Sequence, residues 1–197
     1  STQSRSSAAS DVYKRQKKDL KNRLSERRYV HSAGVAASAY ILAEKYGYNP
    51  KKAELAGWLH DCAKEMKLEE MQNIIDEQNL QVDEYMRSSR ALLHGPAGSI
   101  MAKTIYGIKD RDIQNSIFFH TTGRPQMELL DKIIFLADYI EPSRDFPGIN
   151  IIRRNAQKNL DTAVLSAYDA TIRHLLDQKE YILSLIHISE PTRPLYI

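Results

Sequence analysis

The stretch Trp58-Leu59-His60-Asp61-Cys62-Ala63-Lys64 decides how the chain is read. It sets a histidine and an aspartate side by side in an apolar helical context. Burying such a charge without a partner costs several kcal/mol, so the pair demands compensation from other side chains or from a bound cation. His31, His94, His120 and Asp138 answer that demand, each at the end of an element or on an otherwise apolar helical face. Lys64 follows Asp61 by three positions and His60 by four, so in helical geometry all three project from one surface.

Outward from this stretch, nearly every segment reads as helix. Ser25 is an N-cap for a helix that runs to Tyr46 and stops at Gly47, with His31, Val35, Ala39, Leu42 and Tyr46 on its inner face. Asn49-Pro50 opens a second helix, with Leu55, Leu59, Cys62, Ala63 and Met66 on its buried side and His60-Asp61 inside it. Leu68 to Asn79 is a charged amphipathic helix, and the polar stretch Asp83 to Ser89 reads as loop or a single turn. His94 stands immediately before a helix expected to start at Pro96 and to continue to about Ile105. A further helix runs from Asp110 to His120, where Thr121-Thr122-Gly123-Arg124-Pro125 interrupts it.

Met127 to Ile140 is the most apolar helix, and Asp138 continues its Leu130/Ile134 stripe where a core residue would be expected. A charged loop, Glu141 to Gly148, precedes one or two closing helices between Ile151 and Gln178. The chain shows no alternating strand pattern, internal repeat or low-complexity tract, so the fold class is all-α, a compact multi-helix domain.

The two ends read differently. Asp11-Val12-Tyr13-Lys14-Arg15-Gln16 can be encoded by GAT GTG TAT AAG AGA CAG, and the reverse complement of that string translates as Leu-Ser-Leu-Ile-His-Ile, which is Leu183 to Ile188. Tails that are antisense translations of one another resemble sequencing-library adapter, so residues 1–16 and 183–197 are set apart as adapter-like and residues 17–182 as the domain. That length suffices for a real core.

Without the tails, the 28 Lys+Arg and 25 Asp+Glu of the whole chain become 24 and 23, so no basic footprint for nucleic acid remains. The single cysteine, Cys62, excludes an internal disulfide framework and suits a cytoplasmic setting. No apolar run approaches the roughly 18–20 residues of a membrane span.

Taken singly, each candidate ligand has an ordinary reading. His31 could be a hydrogen-bonded core histidine, His94 and His120 could be helix-end residues, and Asp138 could be ion-paired to Arg28 or Arg153. Jointly, four histidines and two aspartates form a donor set without cysteine, which suits iron, manganese or another divalent ion better than structural zinc.

The order His31, His60-Asp61, Asp138 resembles the HD-domain phosphohydrolase superfamily, and His94 and His120 resemble the added ligands of its dinuclear branch. More narrowly, five motifs resemble the YqeK family of symmetrical bis(5′-nucleosyl)-tetraphosphatases, over essentially all of residues 17–182. They are Arg28-Tyr29-x-His31-Ser32-x-Gly34-Val35, His60-Asp61-x-Ala63-Lys64, His94-Gly95-Pro96-x-Gly98, His120-Thr121-Thr122-Gly123 and Ala137-Asp138-Tyr139-Ile140-Glu141-Pro142-x-Arg144.

The resemblance implies that His31, His60, Asp61 and Asp138 hold one divalent ion and that Asp61, His94 and His120 hold a second, with iron as the expected metal. It implies hydrolysis of diadenosine tetraphosphate into two ADP, with Asp61 at the reacting centre and Lys64 as a phosphate clamp. Arg28, Thr122, Gly123 and Arg144 are weaker substrate-binding candidates, and the two arginines could equally be structural ion pairs. The expected partner is a dinucleoside polyphosphate or another nucleotide, with no nucleic acid or membrane, and a homodimer is compatible with the sequence. Two other readings stay open: a different HD-domain nucleotide phosphohydrolase or phosphodiesterase, and a non-catalytic nucleotide sensor.

Overall fold

The computed structural model describes residues 16–180 and 182. Residues 16–23 are helical, and they lead into α1 (Glu26–Tyr46), α2 (Pro50–Leu59), α3 (Leu68–Glu77), α4 (Glu84–Ser88) and α5 (Arg90–Thr104). The chain then continues through α6 (Arg111–Phe119), α7 (Leu129–Ile140), α8 (Ile149–Ala156) and α9 (Leu160–Gln178). The described residues contain no strand, as the absence of period-two alternation predicts.

Capping chemistry sets most boundaries where the sequence places them. The Ser25 side chain accepts from the Arg28 amide, and Gly47 closes α1 at a left-handed φ of 75°. The Asn49 side chain accepts from the Lys51 and Lys52 amides, ahead of a first-turn Pro50. The apolar helix α7 starts two residues later than expected, because Glu128 caps it and its amide donates to Asp131 Oδ2. The closing region is two helices, separated by Gln157, Lys158 and Asn159.

Two expected boundaries are corrected. The helix expected to carry His60-Asp61 in its interior ends at Leu59, with His60 as its C-cap. The amides of Cys62, Lys64 and Met66 reach back only three residues, to Leu59, Asp61 and Ala63, so residues 60–66 form a tightened run of turns. Neighbouring residues of a continuous α-helix cannot face the same point, and the turn lets both side chains do so.

The helix expected to begin at Pro96 begins at Arg90, and His94 therefore lies inside α5 rather than before it. The Leu92 and Leu93 amides both bond to the Ser89 carbonyl, which nucleates the helix upstream. Proline then removes one backbone bond near the start without ending the helix.

α7 is the central element. Its Leu130, Ile133, Ile134, Leu136 and Ala137 are fully buried, and it packs against α1, α2, α6, α8 and α9. Gln16, expected to belong to a tail, is buried and donates to the Tyr106 carbonyl at 3.1 Å; the remainder of the two adapter-like tails lies outside the described residues. No described helix is long and apolar enough to cross a membrane.

The most extensive helix pair, α1 with α2, rests on a close crossing at Gly57. A Cβ built there would lie 2.7 Å from the Ala36 Cα, a backbone atom that cannot swing aside. This approach sets the His31 and His60 rings 5.3 Å apart. Gly57→Ala would gain up to about 1 kcal/mol of helix propensity but must overpack this crossing, at about 1–3 kcal/mol. The expected result is a lower thermal midpoint, measured by circular dichroism. A raised midpoint would show that the helices are free to move apart.

Candidate metal centre and adjoining cleft

Six side chains from five separate elements converge. His31 comes from α1, His60 and Asp61 from the turn after α2, His94 from α5, His120 from the C-cap of α6 and Asp138 from the last turn of α7. Asp61 is 2% exposed, and its two oxygens face different groups. Oδ2 lies 3.4 Å from His60 Nε2 and 3.6 Å from His31 Nε2, while Oδ1 lies 3.1 Å from His94 Nε2 and 3.5 Å from His120 Nε2. Asp138 Oδ1 completes the first group, 3.0 Å from His31 Nε2 and 3.9 Å from His60 Nε2. The carboxylate stands between two half-sites.

Three histidines are fixed by their far nitrogens. His60 Nδ1 donates to the Gly57 carbonyl at 2.6 Å, His120 Nδ1 to the Ile117 carbonyl at 2.7 Å and His31 Nδ1 to Glu141 Oε1 at 3.1 Å. A neutral ring that donates from Nδ1 presents a bare lone pair at Nε2, so all three lone pairs point inward. His94 Nε2 sits 2.9 Å from His120 Nε2. Two nitrogen lone pairs at that distance repel unless a proton or a cation lies between them.

The residues fit a divalent cation on this chemistry. His31 Nε2, His60 Nε2 and Asp61 Oδ1 are buried without a hydrogen-bond partner, which is costly for polar atoms unless an ion satisfies them. Ligand atoms about 2.1 Å from one ion and at right angles to each other lie about 3 Å apart, matching the 2.9–3.1 Å separations of His94 from His120 and from Asp61 and of His31 from Asp138. The candidate ligand atoms of His31, His60 and Asp138 lie within 4.8 Å of one another, and so do those of His60, Asp61 and His120.

Electrostatics follow the geometry. Burial opposes ionisation of Asp61, but the His60, His120 and His94 rings gathered around it hold its carboxyl well below the usual range. Burial likewise opposes a charged Asp138, and His31, His60 and Arg144 outweigh it. Burial pushes His94 down to about 4, against the pull of the Asp61 carboxylate, so it is a neutral imidazole.

Cations rim the carboxylates. Arg28 Nη1 contacts Asp61 Oδ2 at 2.6 Å, and Arg144 Nη2 contacts Asp138 Oδ1 at 2.7 Å. Asp138 thus pairs with Arg144, whereas Arg153 donates to the Ile140, Glu141 and Arg144 carbonyls. Lys64 Nζ is 3.1 Å from His94 Nε2 and 3.9 Å from Asp61 Oδ1, and burial lowers its pKa. Beside these groups opens a cleft of about 710 Å³ whose walls include Arg27, Arg28, His31, Ser143, Arg144 and Phe146.

Thr122 and Gly123 are placed away from that cleft. The Thr122 hydroxyl is buried and donates to the Gly123 carbonyl, and a Cβ on Gly123, at φ 68°, would overlap the Tyr168 hydroxyl. Thr121, whose place next to His120 carries no periodic or capping signal of its own, brings its hydroxyl to 3.2 Å from His120 Nε2 and 3.4 Å from His94 Nε2. Glu141 lies three residues beyond Asp138, a spacing that puts both on one side of the helix end.

Comparison with known proteins agrees with this geometry. The HD domain family matches residues 28–143. The symmetrical bis(5′-nucleosyl)-tetraphosphatase of Halalkalibacterium halodurans is 45% identical over 163 residues, which cover 83% of this chain and 87% of that protein. The enzyme of the same name from Bacillus subtilis is 38% identical, over 82% of this chain and 86% of that protein. A crystal structure of a predicted HD superfamily hydrolase involved in NAD metabolism, from Clostridium acetobutylicum, superposes with a TM-score of 0.88 at 40% identity, covering 90% of this chain and 94% of that one. The chain belongs to the HD-domain family and, within it, to the YqeK branch of symmetrical bis(5′-nucleosyl)-tetraphosphatases.

Proposed function

We propose that the chain is a divalent-metal-dependent hydrolase that splits diadenosine tetraphosphate symmetrically into two ADP. The two-faced Asp61 carboxylate, set between two histidine groups beside a cleft that Arg27, Arg28 and Arg144 line together with Glu26, Glu141 and Asp145, is the observation that carries this reading. Relatives of matching length that bear this activity's name support it.

In this reading His31, His60, Asp61 and Asp138 hold one ion, and Asp61, His94 and His120 hold a second, with iron as the expected metal. Bound there, divalent ions supply Lewis acidity: they acidify a water near neutral pH and neutralise charge on the phosphate oxygens. Asp61, kept ionised by its histidine neighbours, presents one oxygen to each half-site and so fixes their spacing. Arg28 and Arg144 line the cleft with forked donors of the kind that bind phosphate in pairs. Lys64 lies beside His94 and Asp61, and serves as a clamp on a phosphate oxygen. Phe146 gives the cleft an apolar wall of the sort a nucleobase covers. A single buried cysteine, Cys62, suits a cytoplasmic setting, where no disulfide is needed.

Cleavage consumes one water. The bond between an inner phosphorus and the central bridging oxygen breaks, the water oxygen joins that phosphorus, and the bridging oxygen leaves with the other ADP. Charged groups cluster around the two carboxylates, which favours a grip on inner phosphates over one on a nucleoside end.

Two measurements test the reading. Elemental analysis of purified variants is expected to find that Asp61→Ala loses metal from both half-sites, whereas His120→Ala keeps metal in the His31 half-site. Two ions per chain in the Asp61 variant would remove its bridging role. Hydrolysis in heavy-oxygen water, resolved by mass, is expected to label one of the two ADP molecules from each turnover. AMP and ATP as main products would overturn the symmetrical assignment, and phosphate release from a mononucleotide without cleavage of the tetraphosphate would point to a different HD-domain phosphohydrolase.

A further inference from the structure

The ligand histidines are anchored in two different ways. His60 and His120 are both helix C-caps, and each donates its Nδ1 proton to the carbonyl three residues back. Carbonyls in the last turn of a helix lack an intrahelical partner, so they are available. His31 has no such recourse, since it sits in the second turn of the 21-residue α1, where the carbonyls are committed to the helix. Its Nδ1 turns instead to a side chain from another element, Glu141 Oε1 at 3.1 Å.

Glu141 is built into its place. It is 1% exposed and sits where α7 ends, and its carboxylate also accepts from the Ser143 amide at 2.8 Å and from the Ser143 hydroxyl. Burial opposes its ionisation, but the two bonds from Ser143 and the one with His31 keep it a carboxylate. Room for it comes from α1 itself: a Cβ on Gly34 would lie 2.6 Å from Glu141 Oε2. The turn beyond it closes through the Arg144 amide and the Glu141 carbonyl at 3.0 Å, and that turn presents Arg144 to Asp138.

We infer that Glu141 is a positioning residue for the metal centre: it holds His31 as the Nδ1–H tautomer, with Nε2 aimed at Asp61 and Asp138, and ties that ligand to the turn that carries Arg144. Gly34 is glycine because any side chain there would displace this carboxylate. The inference rests on the metal-site assignment proposed above. A carboxylate behind a ligating imidazole raises its basicity and fixes its ring, and losing such a partner weakens metal affinity by roughly 10–100-fold.

The test uses Mn2+ alone as the probe, titrated into metal-free protein in competition with a chelator, with no nucleotide present. Glu141→Ala is expected to weaken Mn2+ binding roughly 10–100-fold, and Gly34→Ala, which pushes the carboxylate without touching His31, to act in the same direction. Glu141→Gln keeps one acceptor oxygen for the ring and is expected to recover affinity relative to Ala. Arg153→Ala loosens the same turn through its backbone carbonyls and is expected to lower the thermal midpoint while leaving Mn2+ affinity in place.

Imidazole nitrogen resonances supply a readout independent of affinity: the His31 Nδ1–H form dominates in the wild type and is lost in Glu141→Ala. Should Glu141→Ala fail to fold, the Gly34→Ala and Glu141→Gln comparison carries the test. Unchanged Mn2+ affinity in folded Glu141 and Gly34 variants, or equal weakening in Arg153→Ala, overturns the positioning role while leaving the metal site intact. A wild-type chain that binds no Mn2+ overturns the metal assignment, and this inference with it.

Discussion

A single buried carboxylate imposes the constraint that the rest of the structure meets. Asp61 is almost fully enclosed, and burial alone would drive it to its neutral form. Its ionised state is kept by groups that arrive from three other elements, Arg28 and His31 from α1, His94 from α5 and His120 from α6, with His60 beside it in the same turn. A buried charge stripped of one partner costs about 3–5 kcal/mol, of the order of a domain's whole stability. Helices α1, α2, α5 and α6 therefore cannot shift independently near this point. The same convergence that holds the fold builds the site.

Local backbone chemistry explains how such convergence is achieved with so few dedicated residues. At the ends of α2 and α6 the orphan carbonyls of the last turn orient the ring of the C-cap histidine, with no second side chain required. In mid-helix the device is missing, and a carboxylate from beyond α7 must be brought across, with a glycine on α1 to admit it. His94, also in mid-helix, lacks any Nδ1 partner among the described residues. It is held from its other nitrogen, by His120, Asp61 and Lys64.

Much of this was legible in the sequence because it depends on period and capping. The Ser25 and Gly47 limits of α1, the Asn49-Pro50 start of α2 and the Asp110 cap of α6 need only local side-chain-to-backbone bonds. The six candidate donors stand out in the sequence as polar residues at element ends or on apolar faces, and the family resemblance implies how they group. Boundaries near the site were harder, since tertiary geometry overrode local preference: α2 stops short to turn His60 and Asp61 together, and α5 runs through Pro96 because Ser89 nucleates it upstream. The partners of Asp138 and the roles of Thr121 and Glu141 were not legible, because each depends on a contact between elements far apart in sequence.

The adjacency of His60 and Asp61 has its own physical reason. Within a continuous helix two neighbouring side chains diverge by about 100°, so a histidine and an aspartate in sequence could not address one centre. At a helix end the periodicity is released: the histidine takes the orphan Gly57 carbonyl, and the three-residue turns that follow rotate the aspartate inward beside it. Separating the two by one residue would give the carboxylate a different turn position and lose the contacts of its oxygens with two histidine groups. The dipeptide is thus a statement about where the helix must stop. The Gly57–Ala36 crossing fixes that stopping point against α1, and so sets His60 beside His31 before any ligand is bound.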